Sequence, residues 1–238
     1  MTDLHTHILP GMDDGARDVT QSVAMLRMER EQGLKAVVLT PHFYSDRESI
    51  EHFLLRRKRS FSELTCRLEQ LPGEEYKTLP ALYLGAEVAW RSELLEKEEL
   101  PLLCIGQTKN MLVELPFTPW TDGTIKQLYE LIVCFGITPV IAHLERYLDR
   151  QDPKIIRKLL ELDVPIQISC AAFEGFFVRR KVMKLLREGY TCLAASDCHD
   201  CTCRPPDMDM ALKVIRRKLS ENKVSELVCC ADELARGN

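Results

Sequence analysis

The chain contains 238 residues with a formal net charge of −4, and 45% of its residues are hydrophobic and 29% charged. This composition is typical of a soluble globular protein, and its acidic balance disfavours general attraction to nucleic acid. No apolar run approaches the roughly 20 residues of a membrane-spanning helix, and no export signal is recognisable at the N-terminus. We therefore expect one cytoplasmic domain over 1–238, without membrane insertion.

The chain also contains ten cysteines. Disulfide frameworks are typical of small secreted proteins, so in a chain of this length we expect mainly reduced thiols. We predict buried positions for the cysteines that have apolar neighbours, which are Cys104, Cys134, Cys170 and Cys192.

The first fifteen residues contain the most informative motif. A short predicted strand ends in His5-x-His7, and side chains two apart on a strand share one face, so both imidazoles can reach one metal ion. A Pro-Gly turn then brings Asp13 and Asp14 back towards the histidines, and their carboxylates add oxygen ligands. On its own this motif is equally compatible with a polar strand end, so a metal site requires further ligands from the rest of the chain.

The rest of the chain alternates between short apolar strands and amphipathic helices. Apolar, often β-branched runs predict strands over 35–40, 82–88, 111–116, 137–142, 165–169 and 190–195. Apolar residues at helical spacing predict helices over 18–32, 47–71, 121–135, 152–162, 173–188, 208–221 and 224–235. This alternation indicates an α/β fold with parallel strands that are buried on both faces.

Chemically reactive residues recur at or near the ends of the first predicted strands. His42 follows strand 35–40, at the edge where α/β folds place their ligands. Glu87 and Glu114 interrupt apolar strands, where a buried carboxylate needs a metal ion or an arginine as its partner. The basic run 56–59 on the second predicted helix is interpreted as a solvated face, with a docking surface as the alternative.

The later strands follow the same pattern. His143 directly follows strand 137–142, and Arg146 lies three residues further on. Asp197 and His199 follow strand 190–195, and Arg204 lies five residues after His199. Each of these two arginines therefore lies close in sequence to a candidate ligand at a strand end.

Of the six histidines, only His52 lies inside a predicted helix. The candidate metal ligands are His5, His7, Asp14, His42, Glu87, Glu114, His143, Asp197 and His199. A catalytic zinc ion typically takes three protein ligands, so this set predicts two or three ions that share a bridging carboxylate.

At this point the motifs resemble a known family. They are, in chain order, DLHTHILPGMDDGARD, LTPHF, LGAEV, LVELP, IAHLERY and SDCH with its following arginine. Together they resemble the PHP (polymerase and histidinol phosphatase) superfamily of metal-dependent phosphoesterases. Within it, the chain is most similar to the bacterial tyrosine-protein phosphatases encoded with capsular and extracellular polysaccharide genes.

The resemblance implies a distorted (β/α)7 barrel with a trinuclear metal site at the C-terminal ends of its strands. The implied ligand groups are His5, His7, Glu87 and Asp197 for one ion, Glu87, Glu114 and His143 for a second, and Asp14, His42 and His199 for a third. Arg146 and Arg204 match arginines that bind the substrate phosphate in the family. The ions implied are divalent, with manganese first and iron, zinc or magnesium as alternatives.

The resemblance also implies a reaction and a partner. A hydroxide bridging two ions would attack phosphorus in line, and the tyrosyl oxygen would leave without a phosphoenzyme. The expected substrate is the tyrosine-rich C-terminal tail of a membrane-bound kinase that acts as a polysaccharide co-polymerase. A homo-oligomer is a further expectation from the family, and nucleic acid is disfavoured as a partner.

A cysteine mechanism is the first alternative. Cys198 and Arg204 have the Cys-x5-Arg spacing of cysteine-dependent tyrosine phosphatases. However, no glycine lies between them, and the two prolines that follow Arg204 remove amides that a phosphate loop would need. A zinc knuckle of His199 with Cys198, Cys201 and Cys203 would have unusually tight spacing and would take His199 from the main cluster.

Other functions of the same fold also remain open. The chain could be a phosphoesterase acting on a small metabolite such as histidinol phosphate, or an exonuclease. From a different class, it could be a metal-binding regulatory module without catalysis, although the full set of ligands and both arginines disfavours this interpretation.

Overall fold

The computed structural model describes residues 1–237, which form nine β-strands and eight α-helices. The strands are β1 (Thr2–Thr6), β2 (Ala36–Leu39), β3 (His42–Phe43), β4 (Ala81–Leu84), β5 (Glu87–Ala89), β6 (Asn110–Glu114), β7 (Thr138–Ile141), β8 (Ile166–Ser169) and β9 (Cys192–Ala195). The helices are α1 (Val19–Glu31), α2 (Ile50–Glu69), α3 (Gly73–Tyr76), α4 (Asp122–Phe135), α5 (Pro153–Leu160), α6 (Phe176–Glu188), α7 (Met208–Lys218) and α8 (Glu221–Arg236). Among residues 1–237, no helix combines the length and apolar character required to span a membrane.

The strands pair in two parallel sheets, with the orders β1-β2-β4 and β3-β5-β6-β7-β8-β9. The predicted α/β fold with parallel strands is therefore confirmed. The strand predicted over 82–88 is divided into β4 and β5 at Gly85. An added Cβ at Gly85 would lie 3.2 Å from the side chains of both Thr40 and Val38, so the chain passes very close to its neighbour there. This division separates the sheets that the resemblance implied to be one closed barrel.

Backbone hydrogen bonds continue across both gaps between the sheets. The Gly85 amide donates to Leu39 O at 2.9 Å, where β2 and β4 lead into β3 and β5. On the opposite side, the Asp197 amide donates to His5 O at 2.9 Å, and the His7 amide donates to Cys198 O at 2.9 Å. The segment after β9 therefore lies alongside β1, and the first and last strands are neighbours.

After β1 the strands are mainly apolar, because they are covered on both faces, whereas β1 has the mainly polar sequence TDLHT although all its residues are buried. One buried cluster includes side chains from five strands that belong to both sheets, among them Leu4, Val38, Leu112, Val140 and Leu193. Ala231 and Ala235 of α8 pack against the same cluster. A larger cluster lies between the strands and the outer helices.

Helix boundaries follow local capping chemistry. The Asp18 side chain accepts a hydrogen bond from the Gln21 amide, so α1 begins one residue after the predicted start. Ser49 caps α2 in the same way through the His52 amide, so this helix begins at Ile50 rather than at 47. Residues Cys170–Phe173 form a separate 3-10 helix, which moves the start of α6 from 173 to Phe176.

The expected burial of Cys134 is wrong, and the expected solvent exposure of the basic run 56–59 is wrong at Arg57. All ten cysteines are free, and Cys104, Cys170 and Cys192 are buried, but Cys134 is exposed because the buried face of α4 is formed by Leu128 and Leu131. In the basic run 56–59, Lys58 and Arg59 are exposed, but Arg57 is only 8% exposed.

The burial of Arg57 follows from its position on α2. It lies on the inward face of the helix with Phe53, and its guanidinium donates to Gly85 O at 2.6 Å and to Leu102 O at 3.3 Å. Two backbone carbonyl groups thus accept hydrogen bonds from a guanidinium that the sequence pattern alone predicted to be solvated.

A buried pair of acids, Asp3 and Glu29, lies between β1 and α1, and both side chains are fully buried. The Asp3 carboxylate accepts hydrogen bonds from the amides of His5 at 3.2 Å and Ser196 at 3.1 Å. Burial and the charge of Asp3 raise the pKa of Glu29 well above its usual value of 4.5. Glu29 therefore keeps its proton to a higher pH in the folded chain than in the unfolded chain.

We predict that Glu29→Gln flattens the dependence of stability on pH. Because the folded state binds the extra proton, the free energy of unfolding of the parent protein falls as pH rises above the unfolded pKa of 4.5. The variant has no carboxyl group at this position and therefore lacks this loss. At about pH 8 its melting temperature should exceed that of the parent, by roughly 2–4 °C for each kcal/mol of difference in the free energy of unfolding. At about pH 5 it should not exceed that of the parent. Glu31→Gln, an exposed glutamate of the same helix, is the control and should leave the pH profile unchanged.

Candidate metal centre

The predicted ligands come together at the C-terminal ends of the strands, around the buried carboxylate of Glu87. His42 Nδ1 lies 2.8 Å from Glu87 Oε2, and His143 Nε2 lies 2.9 Å from Glu87 Oε1. The Nε2 atoms of His5 and His7 each lie 3.3 Å from Glu87 Oε2. Four imidazoles from three segments thus surround one glutamate that is 1% exposed.

The remaining four predicted ligands surround this group. Glu114 Oε1 lies 3.4 Å from His143 Nε2, and Asp197 Oδ1 lies 3.4 Å from His5 Nε2. On the other side, Asp14 Oδ1 lies 3.4 Å from His42 Nε2 and 3.5 Å from the Nε2 atom of His199. All nine candidates from the sequence therefore lie in one continuous cluster, whereas His52 lies on α2, where it pairs with Glu48.

Three sets of these side chains have ligand atoms within 4.8 Å of one another, close enough to bind one ion each. They are His7, Asp14, His42 and His199, then His5, His7 and Glu87, and finally His42, Glu87 and Glu114. These sets overlap with the ligand groups implied by the resemblance but distribute the histidines differently. Here His7 is in the set that contains Asp14, and His42 is in the set that contains Glu114. The assignment of individual ligands to individual ions stays a prediction.

Two buried side chains behind the histidines fix the orientation of their rings. Asp13 Oδ2 lies 2.8 Å from His7 Nδ1 and also accepts a hydrogen bond from the His42 amide at 2.9 Å. Gln167 Oε1 lies 3.3 Å from His5 Nδ1 and accepts from the His143 amide at 2.6 Å. Asp13 was expected to offer an oxygen ligand, but its carboxylate contacts His7 Nδ1, the ring nitrogen on the side away from Glu87.

The role of Gln167 was missed in the sequence. It lies in an apolar strand, as Glu87 and Glu114 do, and the same argument about buried polar groups would have identified it. Contacts of this kind commonly orient histidines that bind metals.

The donor set fits a divalent cation. With Nδ1–H groups directed at Gln167 and Asp13, the Nε2 atoms of His5 and His7 direct lone pairs at each other across 3.2 Å. Oε2 of Glu87 faces the same position and, among the described residues, has no hydrogen-bond partner. A buried group of lone pairs and carboxylates requires a positive charge for compensation.

The pKa values reflect this need for positive charge. Burial would raise the pKa of Glu87, but the field of His5 and the hydrogen bond from His143 lower it well below 4.5. Burial would lower the pKa of His143, but Glu114 and Glu87 raise it to about 9. Burial together with the charges of His7 and Arg204 lowers the pKa of His199 to about 4. Without a metal ion, protons on some histidines compensate the carboxylates.

Unusual backbone conformations position several of these groups. His143 has φ +33° and Asp197 has φ +54°, a left-handed conformation that is uncommon outside glycine. Each lies two positions after the end of a strand, β7 or β9, and the left-handed turn directs its side chain towards the cluster. In the N-terminal loop, a Cβ on Gly15 would lie 2.1 Å from His7 O, so only glycine permits this close approach.

The two predicted phosphate-binding arginines lie next to the cluster. Arg146 and Arg204 both pair with Oδ2 of Asp197, the latter at 2.8 Å, while Oδ1 of Asp197 faces His5. The arginines line a cavity of about 270 Å³ together with Ser169, Glu174, Thr202 and other residues. A tetrahedral anion in this cavity would meet two guanidinium groups at the edge of the candidate metal centre.

Comparisons with known proteins agree with this geometry. Residues 1–234 match the family described as "Capsular polysaccharide synthesis, CpsB/CapC". The chain belongs to the CpsB/CapC family. The predicted resemblance to bacterial tyrosine-protein phosphatases encoded with capsular polysaccharide genes is confirmed.

Two named relatives are similar to this chain over most of their length. Tyrosine-protein phosphatase CpsB of Streptococcus pneumoniae is 32% identical over 95% of this chain and 94% of its own. Tyrosine-protein phosphatase YwqE of Bacillus subtilis is 30% identical, over 92% of this chain and 85% of its own. A crystal structure from work on YwqE and CpsB as metal-dependent tyrosine phosphatases superimposes with a TM-score of 0.83, at 26% identity, over 99% of this chain and 94% of that chain.

The cysteine alternatives have little structural support in this member of the CpsB/CapC family. Cys198 is fully buried, and burial together with the charges of Glu29 and Asp3 raises the pKa of its thiol well above 9.0. A nucleophilic cysteine requires the opposite, an accessible thiolate with a lowered pKa. Within residues 1–237, no candidate ligand group includes a cysteine.

Proposed function

We propose that this CpsB/CapC family member is a metal-dependent protein-tyrosine phosphatase. The observation that carries the proposal is the convergence of five histidines and three further carboxylates around Glu87, next to two arginines that share Asp197. Its relatives CpsB and YwqE are tyrosine-protein phosphatases by name, which supports the same reaction here.

The metal ligands proposed are the nine residues predicted from the sequence, His5, His7, Asp14, His42, Glu87, Glu114, His143, Asp197 and His199. They would hold two to three divalent ions, manganese first and otherwise iron, zinc or magnesium, because mixed nitrogen and oxygen ligands suit all four metals. When bound, such ions supply positive charge for a phosphoryl group and lower the pKa of a water molecule. The buried Glu87 is the residue best placed to contact more than one ion.

The protein's own residues bind and orient the phosphate. Arg146 and Arg204 would donate to the non-bridging phosphoryl oxygens, and their pairing with Asp197 limits the rotation of both side chains. Asp13 holds the proton of His7 on Nδ1, so that Nε2 stays free as a ligand atom. Two larger openings border the cluster, one of about 630 Å³ next to Asp14 and His42 and one of about 690 Å³ next to Glu114. Both lie within the usual volume range of ligand-binding cavities.

The finer structural and cellular predictions belong to the same proposal. The continuous backbone pairing at Gly85 and at His5, together with the shared inner cluster of five strands, supports a distorted (β/α)7 barrel formed by one domain. The natural substrate would be the phosphotyrosine tail of a membrane-bound kinase involved in capsule assembly, reached from the cytoplasm. A homo-oligomer stays part of the proposal through the family resemblance alone.

Three substrates and two inhibitors test the proposed function. A phosphotyrosyl peptide should be hydrolysed much faster than histidinol phosphate or single-stranded DNA. A chelator should abolish hydrolysis until a divalent metal is restored, whereas thiol alkylation and Cys198→Ser should leave most activity, because Cys198 is buried and protonated. Full activity in protein shown by elemental analysis to be free of metal, or a large loss in Cys198→Ser with unchanged metal content, would refute the proposal.

A further inference from the structure

A second surface feature lies outside the candidate metal centre, at the start of α6. Phe176 is 65% exposed, Phe177 is 79% exposed and Val178 is 37% exposed, although they are consecutive apolar residues. The two phenyl rings pack against each other edge to face, with centroids 5.5 Å apart. Adjacent exposed aromatic side chains of this kind indicate an interaction site, since isolated exposed apolar residues would need no explanation.

Positive charges surround this aromatic pair. A shallow cavity of about 170 Å³ beside the rings is lined by Phe176, Met183 and four cations, Arg179, Arg180, Arg187 and Lys218. Among the described residues, no ion pair forms between any of these four cations and an acid, whereas Lys181 pairs with Asp149 and Lys184 with Glu188. The surface is therefore locally cationic in a chain whose formal net charge is −4.

We infer that this surface, the Phe176–Val178 segment with Arg179, Arg180, Arg187 and Lys218, docks the protein on anionic lipid bilayers. Projecting aromatic side chains can enter the interfacial region of a bilayer, while arginine and lysine beside them contact acidic headgroups. The α6 helix also begins without a side-chain cap, so its first amides direct partial positive charge towards the same surface.

The shape and charge of the surface favour a bilayer over other occupants. A second copy of the chain meeting this surface in a two-fold dimer would place its four cations against the same four cations, which is repulsive. An acidic peptide would use a groove that encloses it, but the aromatic rings project outwards and the neighbouring cavity is shallow. A planar anionic surface matches both the protrusion and the spread of the charges.

The position of this surface gives the docking a direction. Glu174 lines the cavity that contains Arg146 and Arg204, and Phe176 lies two residues further along the chain. A bilayer bound at the start of α6 would therefore lie near the opening of that cavity. This inference does not depend on the proposed function, because lipid binding and phosphotyrosine hydrolysis are measured separately.

Vesicle sedimentation tests the inference with the full-length protein. The parent protein should sediment with phosphatidylcholine vesicles that contain phosphatidylglycerol and remain in solution with pure phosphatidylcholine vesicles. The double variant Phe176→Ser with Phe177→Ser should bind at least about tenfold more weakly, since burial of a phenyl side chain is lost twice. Arg180→Glu with Arg187→Glu should weaken binding by roughly fivefold or more for each charge changed, and added salt should weaken binding by the parent protein.

A matched control distinguishes binding through this surface from non-specific binding through other exposed apolar side chains. Leu55→Ser removes an apolar side chain of α2 that is 61% exposed and should bind vesicles as the parent does. Absence of binding to anionic vesicles, or equal loss in Leu55→Ser, would overturn the inference. Two other results would also overturn it if vesicles do not bind. One is tight binding of an acidic peptide that depends on Phe176 and Phe177, and the other is self-association, measured by light scattering, that depends on the same residues. Hydrolysis of a soluble phosphotyrosyl peptide should be unchanged in all these variants.

Discussion

Glu87→Gln is expected to lower kcat/KM for a phosphotyrosyl peptide at least about a thousandfold, since charge stabilisation by bound metal is worth several kcal/mol. Glu87 is the one carboxylate that faces His5, His7, His42 and His143 together. Glutamine keeps the size of the side chain but removes its charge, so positive ions in the centre of the cluster lose their main compensation. The bound metal, measured by elemental analysis, should fall together with activity.

A neighbouring carboxylate provides the control for this variant. Glu93 lines the large opening next to Glu114 but lies outside the cluster, so Glu93→Gln should keep both metal and activity. Because the histidines around Glu87 carry some positive charge without a metal, Glu87→Gln could also change stability, and its circular dichroism spectrum and melting curve should be recorded. Normal activity with a full metal content in a folded Glu87→Gln variant would contradict its central role.

Arg146→Lys and Arg204→Lys should each lower kcat/KM by roughly a hundredfold to a thousandfold, the loss found when a preorganised charged or polar donor is removed from a reaction centre. Lysine keeps the positive charge but cannot donate two parallel hydrogen bonds to a phosphoryl group. It also cannot repeat the fixed pairing with Asp197 Oδ2 that both arginines make. The double variant should lose less than the product of the two single effects, because the arginines share one partner.

The matched control for the arginine variants is Arg91→Lys. Arg91 lines the opening near Glu114 but pairs with Asp46 at the surface, so its replacement should have little effect on kcat. Metal content should stay unchanged in both arginine variants, which separates loss of phosphate binding from loss of the cluster. Parent-like kinetics in Arg146→Lys and Arg204→Lys would exclude the shared cavity as the phosphate site.

Much of the cluster could be predicted because parallel strands end at one edge. A histidine or carboxylate at the C-terminal end of most predicted strands had to lie near the others once the strands were adjacent. Glu87 illustrates the argument best, since a carboxylate in an apolar strand required partners and is surrounded by four imidazoles. Arg146 and Arg204, distant in sequence, meet at Asp197 for the same reason.

Features that depend on side-chain packing could not be predicted from sequence patterns. The burial of Arg57 depends on carbonyl groups supplied by two other segments, and neither Gly85 nor Leu102 carries a signal for this contact. The exposure of Cys134 depends on which face of α4 meets the strands. The contact of Asp13 with His7 depends on the close turn at Gly15, which places the aspartate next to Nδ1 of the ring rather than next to Nε2, the nitrogen that faces Glu87.

The pairing of β1 with the segment after β9 also affects the order of events during synthesis. The Ser196 amide donates to Asp3, 193 positions earlier in the chain, and Asp197 then lies against His5. A nascent chain therefore presents His5 and His7 long before their last neighbours emerge from the ribosome. If the nine ligands bind metal ions as proposed, the centre is incomplete until Asp197 and His199 have been synthesised, and a polypeptide that ends before them should retain cations less tightly.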